Sequence, residues 1–431
     1  MSDWLHGSPH DVALAFGGEI VRFGALARSV STVAAVGLPA GDGPIGCPVA
    51  TDPVTLVTHV LAALERGRPV LVGGSQREAD DLVGRLPQGT GLALLTSGSS
   101  GGSPRVVART NASWLASAGP LAAVAGLGAD PGEVAHDGDA AKGTMSGVRI
   151  AVTGPLHVSM HLYGVLHALW LGATATDALE GAAVVHATPT RLARVIDGDT
   201  PPAAAIVAGA VLSPTLRDRA ADRGIRLTEY YGAAELSFVL SGGEGGLRPF
   251  PGVEVELRAD AAGDLLWARS PYLALGVVGG GMLQRDGRGF ATVGDLAERT
   301  PDGGLRVLGR GDAAITTAGS TVLVEQVEAR LEAIPGVRAA AVIGEPHELL
   351  GERIVAVVEL FEGVALAEVA DAARRKMPVD ELPRRWFAAR VPRTASGKIA
   401  RGEVRAALAN GWLGAPHPGA PHLGAPAGSG A

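Results

Sequence analysis

The chain has 431 residues, 19% of them charged and 47% hydrophobic, so it can bury a large core and is folded rather than disordered. A formal net charge of -7 leaves no broad positive field for nucleic acid or an anionic membrane, so any phosphate it recognises has to be met locally. The single cysteine, Cys47, excludes an intramolecular disulfide framework and reads as an inert small residue in a reducing compartment.

The opening segment MSDWLHGSPHD has no basic stretch feeding an apolar one, so no secretory signal is expected and a cytoplasmic protein is. From residue 54 to 74 a helix-like THVLAALERG gives way to the short apolar run RPVLVG, a change of period that predicts a helix feeding a strand. The same grammar recurs. RVVART precedes SWLASAGPLAAVAGL, VRIAVTG precedes YGVLHALWLG, and AAIVAGA precedes SPTLRDRAADRG, which predicts buried, largely parallel sheets with packed helices. The most apolar stretch, residues 148–171, is broken by Gly154, Pro155, Gly164 and three histidines, so it reads as core strand, loop and helix rather than a membrane span.

After Phe250 the texture changes to VEVELRA, DLLWARS and LRVLGR, split by Gly and Asp turns, which predicts a strand-rich subdomain. Beyond a boundary near Arg310, VEQVEARLEAI predicts an amphipathic helix, followed by VRAAAVIG, RIVAVVEL, VADAARRKM and RWFAARV, enough for a small α+β domain. The tail after Trp412 repeats Gly-Ala-Pro with almost nothing to pack and is expected to be disordered; its His417 and His422 are too sparse a ligand set for a metal. The expected layout is a large α/β domain over 1–309, a small α+β domain over 310–408 and a tail over 409–431.

Five segments carry chemistry. In LLTSGSSGGSPR an apolar strand runs into glycines and hydroxyls ending in a cation, so Thr96, Ser97, Gly98, Ser99, Ser100, Gly101 and Arg105 suit a phosphate, although no Walker Gly-Lys-Ser/Thr is present. In LTEYYGAAEL, Tyr230 and Tyr231 precede a turn at Gly232, and Glu235 is placed to hold Mg²⁺ beside a polyphosphate; core tyrosines and a solvated glutamate are the plain alternative. In VGDLAER, Asp295 follows a glycine and suits a ribose diol. In LGRGDAAITTAG, Arg310 and Asp312 flank a glycine at the expected boundary, where hinges lie. In VPRTASGKIARGEV, Lys398 sits in an exposed-looking loop that could swing into a site and neutralise developing phosphate charge, with a basic surface loop as the alternative.

In this order and at these separations the five segments resemble the adenylate-forming superfamily of acyl-CoA synthetases, peptide-synthetase adenylation domains and luciferases, over roughly residues 50 to 408. The resemblance implies a large mainly parallel α/β domain with a strand-rich subdomain and a small mobile C-terminal domain. It implies activation of a carboxylic acid by ATP and Mg²⁺ to an acyl-AMP, then transfer to coenzyme A. It assigns the phosphate loop to Thr96 through Arg105, Mg²⁺ to Glu235, ribose to Asp295 and adenylation to Lys398, and it counts Tyr230, Tyr231, Gly232 and Arg310 among the ATP- and AMP-binding residues. It also makes Gly209 and Ala210, in VAGAVLSP, candidates to line the adenine and acyl pocket, His157 a gate residue or a core histidine, and Gly319 a lining residue of the pantetheine tunnel.

Three departures are visible. Ala234 stands where the family usually has threonine, the phosphate loop is one residue longer and ends in Arg105 rather than lysine, and Thr96 falls early, so the N-terminal subdomain is expected to be shortened as in o-succinylbenzoate-CoA ligase-like and some fatty acid-CoA ligase-like members. No acidic residue near Tyr230 or Gly209 is obviously placed to meet an α-amine, which favours simple carboxylic acids. Loading of an acyl carrier protein or another nucleophile, and a non-catalytic nucleotide-binding homologue, stay open as alternatives.

Overall fold

The structure is a computed structural model and describes residues 3–96, 105–128, 143, 145–243, 246–260, 263–280, 283–310, 314–317, 320–347, 351–394, 397–411 and 413. Three sheets organise them. The largest has 15 strands, and its centre is parallel: Val12–Phe16, Thr174–Thr176, Arg149–Val152, Val184–Ala187, Ala204–Val207 and Arg226–Ala233 lie side by side in that order. These strands are short apolar runs because both faces are covered, as parallel sheet requires. From Arg226–Ala233 onward the sheet turns antiparallel through Ser237–Gly243, Gly246–Pro249, Leu305–Arg310, Asp295–Arg299 and Gly263–Arg269, the strand-rich stretch expected after Phe250.

The second sheet orders Ile45–Pro48, Val70–Gly73, Leu92–Thr96, Arg105–Arg109 and Gly276–Val278. Its first three strands are parallel, but Arg105–Arg109 runs antiparallel to Leu92–Thr96, so RVVAR is one arm of a hairpin rather than another parallel strand. The segment after it forms two short helices, Asn111–Leu115 and Ala118–Val124, not one. Helix Pro53–Glu65 starts where the sequence signals a start: Asp52 accepts from the Thr55 amide at 2.9 Å, and Pro53 supplies a pre-set first turn.

Helix Ser159–Trp170 is buried along nearly its whole length, and Leu162, Val165, Leu166 and Leu169 join one continuous core with Leu94, Val107 and Ile206 from the two sheets. The expectation of strand, loop and helix over 148–171 matches this. The first fifty residues, which the motif resemblance left uncovered, also belong to the fold, since Val12–Phe16 pairs with Thr174–Thr176 and Trp4, Leu14 and Leu26 are buried in the same core. Cys47 is buried there too, and desolvation pushes its thiol up to about 12, so it stays protonated and inert.

The third sheet comprises Ala314–Thr317, Ser320–Leu323, Gly351–Leu360, Val337–His347 and Arg385–Ala388. Strict alternation sends Ala340 and Val342 to one face, against helices Val324–Glu332 and Leu366–Lys376, and Ala341 and Ile343 to the other, against helix Arg401–Ala409. His417 and His422 lie outside the described residues. Among the described residues no helix is long and apolar enough to cross a membrane.

Candidate active site

The phosphate-loop candidates hang from a hairpin. Thr96 closes one strand, Arg105 opens the next, and the two pair directly across, with Thr96 Oγ1 donating to the Arg105 carbonyl at 3.3 Å. Ser97, Gly98, Ser99, Ser100 and Gly101 lie outside the described residues, but both ends of their segment are held in the sheet.

Arg105 aims its guanidinium at Glu235: Nη2 is 3.3 Å from Oε1. Glu235 is only 3% exposed, which removes the solvated-charge alternative, since an ionised carboxylate at that depth needs a partner. It sits in the tight turn between Arg226–Ala233 and Ser237–Gly243. Gly232 permits that turn, because a Cβ there would lie 1.9 Å from the Ser237 carbonyl oxygen, and Ser237 itself takes φ +59°. Below the turn lies a residue the motifs did not single out. Arg109 is fully buried, donates to Ser237 Oγ at 2.6 Å, to the Ala234 carbonyl at 3.0 Å and to the Tyr272 carbonyl at 3.3 Å, and lies 5.2 Å from the centre of the Trp114 ring. Burial pulls Arg109 down to about 9, with the charge of Glu235 opposing, so it remains a cation at neutral pH. Its signal in the sequence was a second arginine inside an apolar strand, where a charge has to be paired.

A second group gathers on the large sheet. Tyr231 donates its hydroxyl to Asp295, which is buried, and Asp295 pairs across the ladder with Arg310. Tyr230 packs inward, its ring centre 4.6 Å from that of Phe238, and burial raises its phenol. The Arg310 side chain, and Asp312 and Gly319 altogether, lie outside the described residues.

A third group lines the ends of the parallel strands. Gly209 takes φ +94°, and a side chain there would touch Thr188 Cγ2 at 3.4 Å and Met160 Sδ at 3.5 Å; its neighbour Ala210 is exposed. His157 lies in the loop before helix Ser159–Trp170, and partial burial lowers its pKa, favouring neutral imidazole. The true core histidines are His161, His167 and His186, all buried, with desolvation holding His161 at about 3 and His167 at about 4. Lys398 is exposed on a loop of the third sheet, and its neighbour Gly397 approaches Thr188.

A single buried carboxylate beside a cation fits Mg²⁺ that arrives on a polyphosphate, since such sites take one or two protein carboxylates and fill the rest with phosphate and water. A self-sufficient metal cage is not what the residues offer: among the described residues no cluster of three His, Cys, Asp or Glu could hold a metal.

Residues 326–398 match the model of the AMP-binding enzyme C-terminal domain family. The sequence is 29% identical over 389 residues to the uncharacterized acyl-CoA ligase YhfT of Bacillus subtilis, covering 82% of this chain and 74% of that one. The chain thus matches the C-terminal domain of AMP-binding enzymes over residues 326–398 and is similar to an acyl-CoA ligase along most of its length. A shorter match, 39% over 112 residues, joins it to the 3-oxocholest-4-en-26-oate-CoA ligase of Rhodococcus rhodochrous, covering 25% of this chain and 20% of that enzyme. Solved structures of the same fold include o-succinylbenzoate CoA synthetase from Bacillus subtilis in complex with its acyl-adenylate intermediate, with a TM-score of 0.75 at 18% identity over 94% of this chain and 98% of that one. ATP-bound MatB from Rhodopseudomonas palustris gives 0.73 at 18% identity over 94% of this chain and 99% of that one.

Proposed function

We propose that this protein belongs to the adenylate-forming superfamily and is an acid-thiol ligase that activates a carboxylic acid with ATP to an acyl-adenylate and then transfers the acyl group to coenzyme A. The observation that carries the reading is the Arg105–Glu235 pair, a buried carboxylate and a cation set at the foot of the Gly/Ser segment. Names borne by its relatives, acyl-CoA ligase and acetyl-coenzyme A synthetase, support the same chemistry.

In the first half-reaction an oxygen of the substrate carboxylate attacks the α-phosphorus of ATP, the bond to pyrophosphate breaks, and the electron pair leaves with pyrophosphate. Thr96, Ser97, Gly98, Ser99, Ser100, Gly101 and Arg105 serve the phosphates with hydroxyls, amides and charge. Mg²⁺ held by Glu235 supplies charge neutralisation on the polyphosphate. Asp295, oriented by Tyr231, accepts from the ribose hydroxyls, Gly232, Gly209 and Ala210 border the nucleotide and acyl pocket, and Lys398 meets the α-phosphate. In the second half-reaction the coenzyme A thiolate attacks the acyl carbon and AMP leaves, after the small domain turns about Arg310 and Asp312 to bring Gly319 to the pantetheine path; His157 gates the acyl site. We place the large domain at 1–309 and the mobile one at 310–408. The acid itself is a simple carboxylic acid rather than an amino acid.

Incubating the protein with Mg-ATP and a panel of acids, with and without coenzyme A, tests this reading. Release of pyrophosphate that depends on one acid, with the matching thioester formed, is the expected result. Acid-dependent release without thioester would transfer the second step to a carrier protein or another nucleophile, and no release with any acid would overturn the reading.

A further inference from the structure

The described residues of the loop that carries Lys398 hold one another. Arg393 and Ile399 bridge its base, the Thr394 amide donates to the Lys398 carbonyl at 2.8 Å, the Gly397 amide donates to the Thr394 carbonyl at 2.8 Å, and Arg393 Nη1 donates to the Gly397 carbonyl at 3.0 Å. Behind it, Arg401 binds Glu328 at 2.6 Å and Glu325 at 3.2 Å, tying the loop to helix Val324–Glu332. A finger held this way moves as one piece, so what its tip touches decides where Lys398 points.

Gly397 faces Thr188. Gly397 takes φ +86°, and a Cβ built there would lie 3.0 Å from Thr188 Oγ1 and 3.6 Å from Thr188 Cβ. Thr188 is a local anomaly. It is the N-cap of helix Pro189–Ile196, a position where threonine normally accepts from the first-turn amides, yet its side chain makes no capping hydrogen bond. The hydroxyl is buried and has no partner among the described residues, and the residue is 2% exposed. A side chain that forgoes its cap and faces the finger, on the wall that also holds Gly209, breaks a local rule where function would explain it.

We propose that Thr188 is the seat for the Lys398 finger: it positions the lysine for adenylation by receiving Gly397, and the finger has to leave this seat before the thiol is acylated. The proposal rests on the two half-reactions assigned above. Thr188 is a positioning residue that acts through Gly397.

Paired cysteines test it. The 3.6 Å between the Cβ positions lies within the Cβ separation of disulfides, about 3.5–4.5 Å. In the full chain carrying Cys47→Ala, the double substitution Thr188→Cys with Gly397→Cys should oxidise to one intramolecular bridge, read by mass spectrometry of the linked peptides. The bridged protein should still release pyrophosphate with a productive acid but lose at least ten-fold in thioester formation from supplied acyl-AMP, recovered on reduction. Absence of the bridge under oxidation, or a bridged protein that forms thioester as fast as the reduced one, would overturn the seat. Bridge formation is read without catalysis, so a parent protein that releases no pyrophosphate with any acid counts against the proposed function and not against the contact, whereas a bridged protein that alone loses pyrophosphate release, with release recovered on reduction, would overturn the seat as an adenylation position. Should the paired variant not fold, Thr188→Leu, which fills the seat without touching 397, should lower kcat of adenylation several-fold more than thioester formation from acyl-AMP, with Thr188→Ser restoring the ratio; an equal loss in both half-reactions would overturn the proposal.

Discussion

Replacing Arg109 by methionine tests how the Glu235 turn is held. The new side chain fills most of the volume, but the Ala234 and Tyr272 carbonyls and the Ser237 hydroxyl lose their donor at a buried site. Each stranded acceptor costs about 1–3 kcal/mol, and removing one member of a buried charged network costs roughly 3–5 kcal/mol in all. At about 2–4 °C per kcal/mol for bodies of this size, the melting temperature should fall on the order of 10 °C. Because Ala234 adjoins Glu235, the same change should weaken Mg-ATP use, seen as a higher KM for Mg-ATP in acid-dependent pyrophosphate release at a temperature where the variant is folded. Arg109→Lys, which keeps charge but cannot fork to three acceptors, should fall between. A methionine variant that melts within a degree or two of the parent with unchanged KM would refute the positioning role.

Glu235→Gln should reduce pyrophosphate release on the order of 100-fold or more and flatten its dependence on Mg²⁺ concentration, measured at a temperature where the variant is folded; an intact Mg²⁺ response would remove Glu235 from the metal. Lys398→Ala should nearly abolish adenylation yet leave thioester formation from supplied acyl-AMP largely intact, and equal loss of both would contradict the division of labour. Tyr231→Phe removes the hydroxyl that orients Asp295 and should raise the KM for ATP a few-fold with kcat little changed, measured in the same assay. Acid should destabilise the fold through its buried histidines. Desolvation lowers their folded pKa, so their contribution is complete above about 6.5 and is lost as pH falls toward the folded values, which for His161 and His167 are about 3 and about 4. By pH 5 each should have cost about 2 kcal/mol, and His167→Phe should flatten the decline in urea midpoint between pH 6.5 and 5.

The strand-helix grammar was legible because it rests on period and punctuation: short apolar runs ending at glycine or proline became the parallel strands, and Asp52-Pro53 marked a helix start. The direction of RVVAR was not legible, because strand periodicity says nothing about which neighbour a strand finds, and the hairpin is fixed by the pairing of Thr96 with Arg105. The first fifty residues escaped for a similar reason, since Val12–Phe16 closes the sheet against a strand some 160 residues away. At the site, Glu235, Arg105 and Asp295 were readable as types of chemistry at known separations. Their joining was not: Arg105 reaching Glu235, Tyr231 reaching Asp295, and Arg109 beneath the turn are tertiary contacts. Thr188 reads from sequence as an ordinary helix cap, and only the missing capping bond sets it apart.

The most direct test of the account is acid-dependent pyrophosphate release from Mg-ATP across aliphatic, aromatic and amino acids, each with and without coenzyme A. The account predicts release driven by a simple carboxylic acid, with its coenzyme A thioester accumulating in step. Tight ATP binding with no pyrophosphate released for any acid would contradict it.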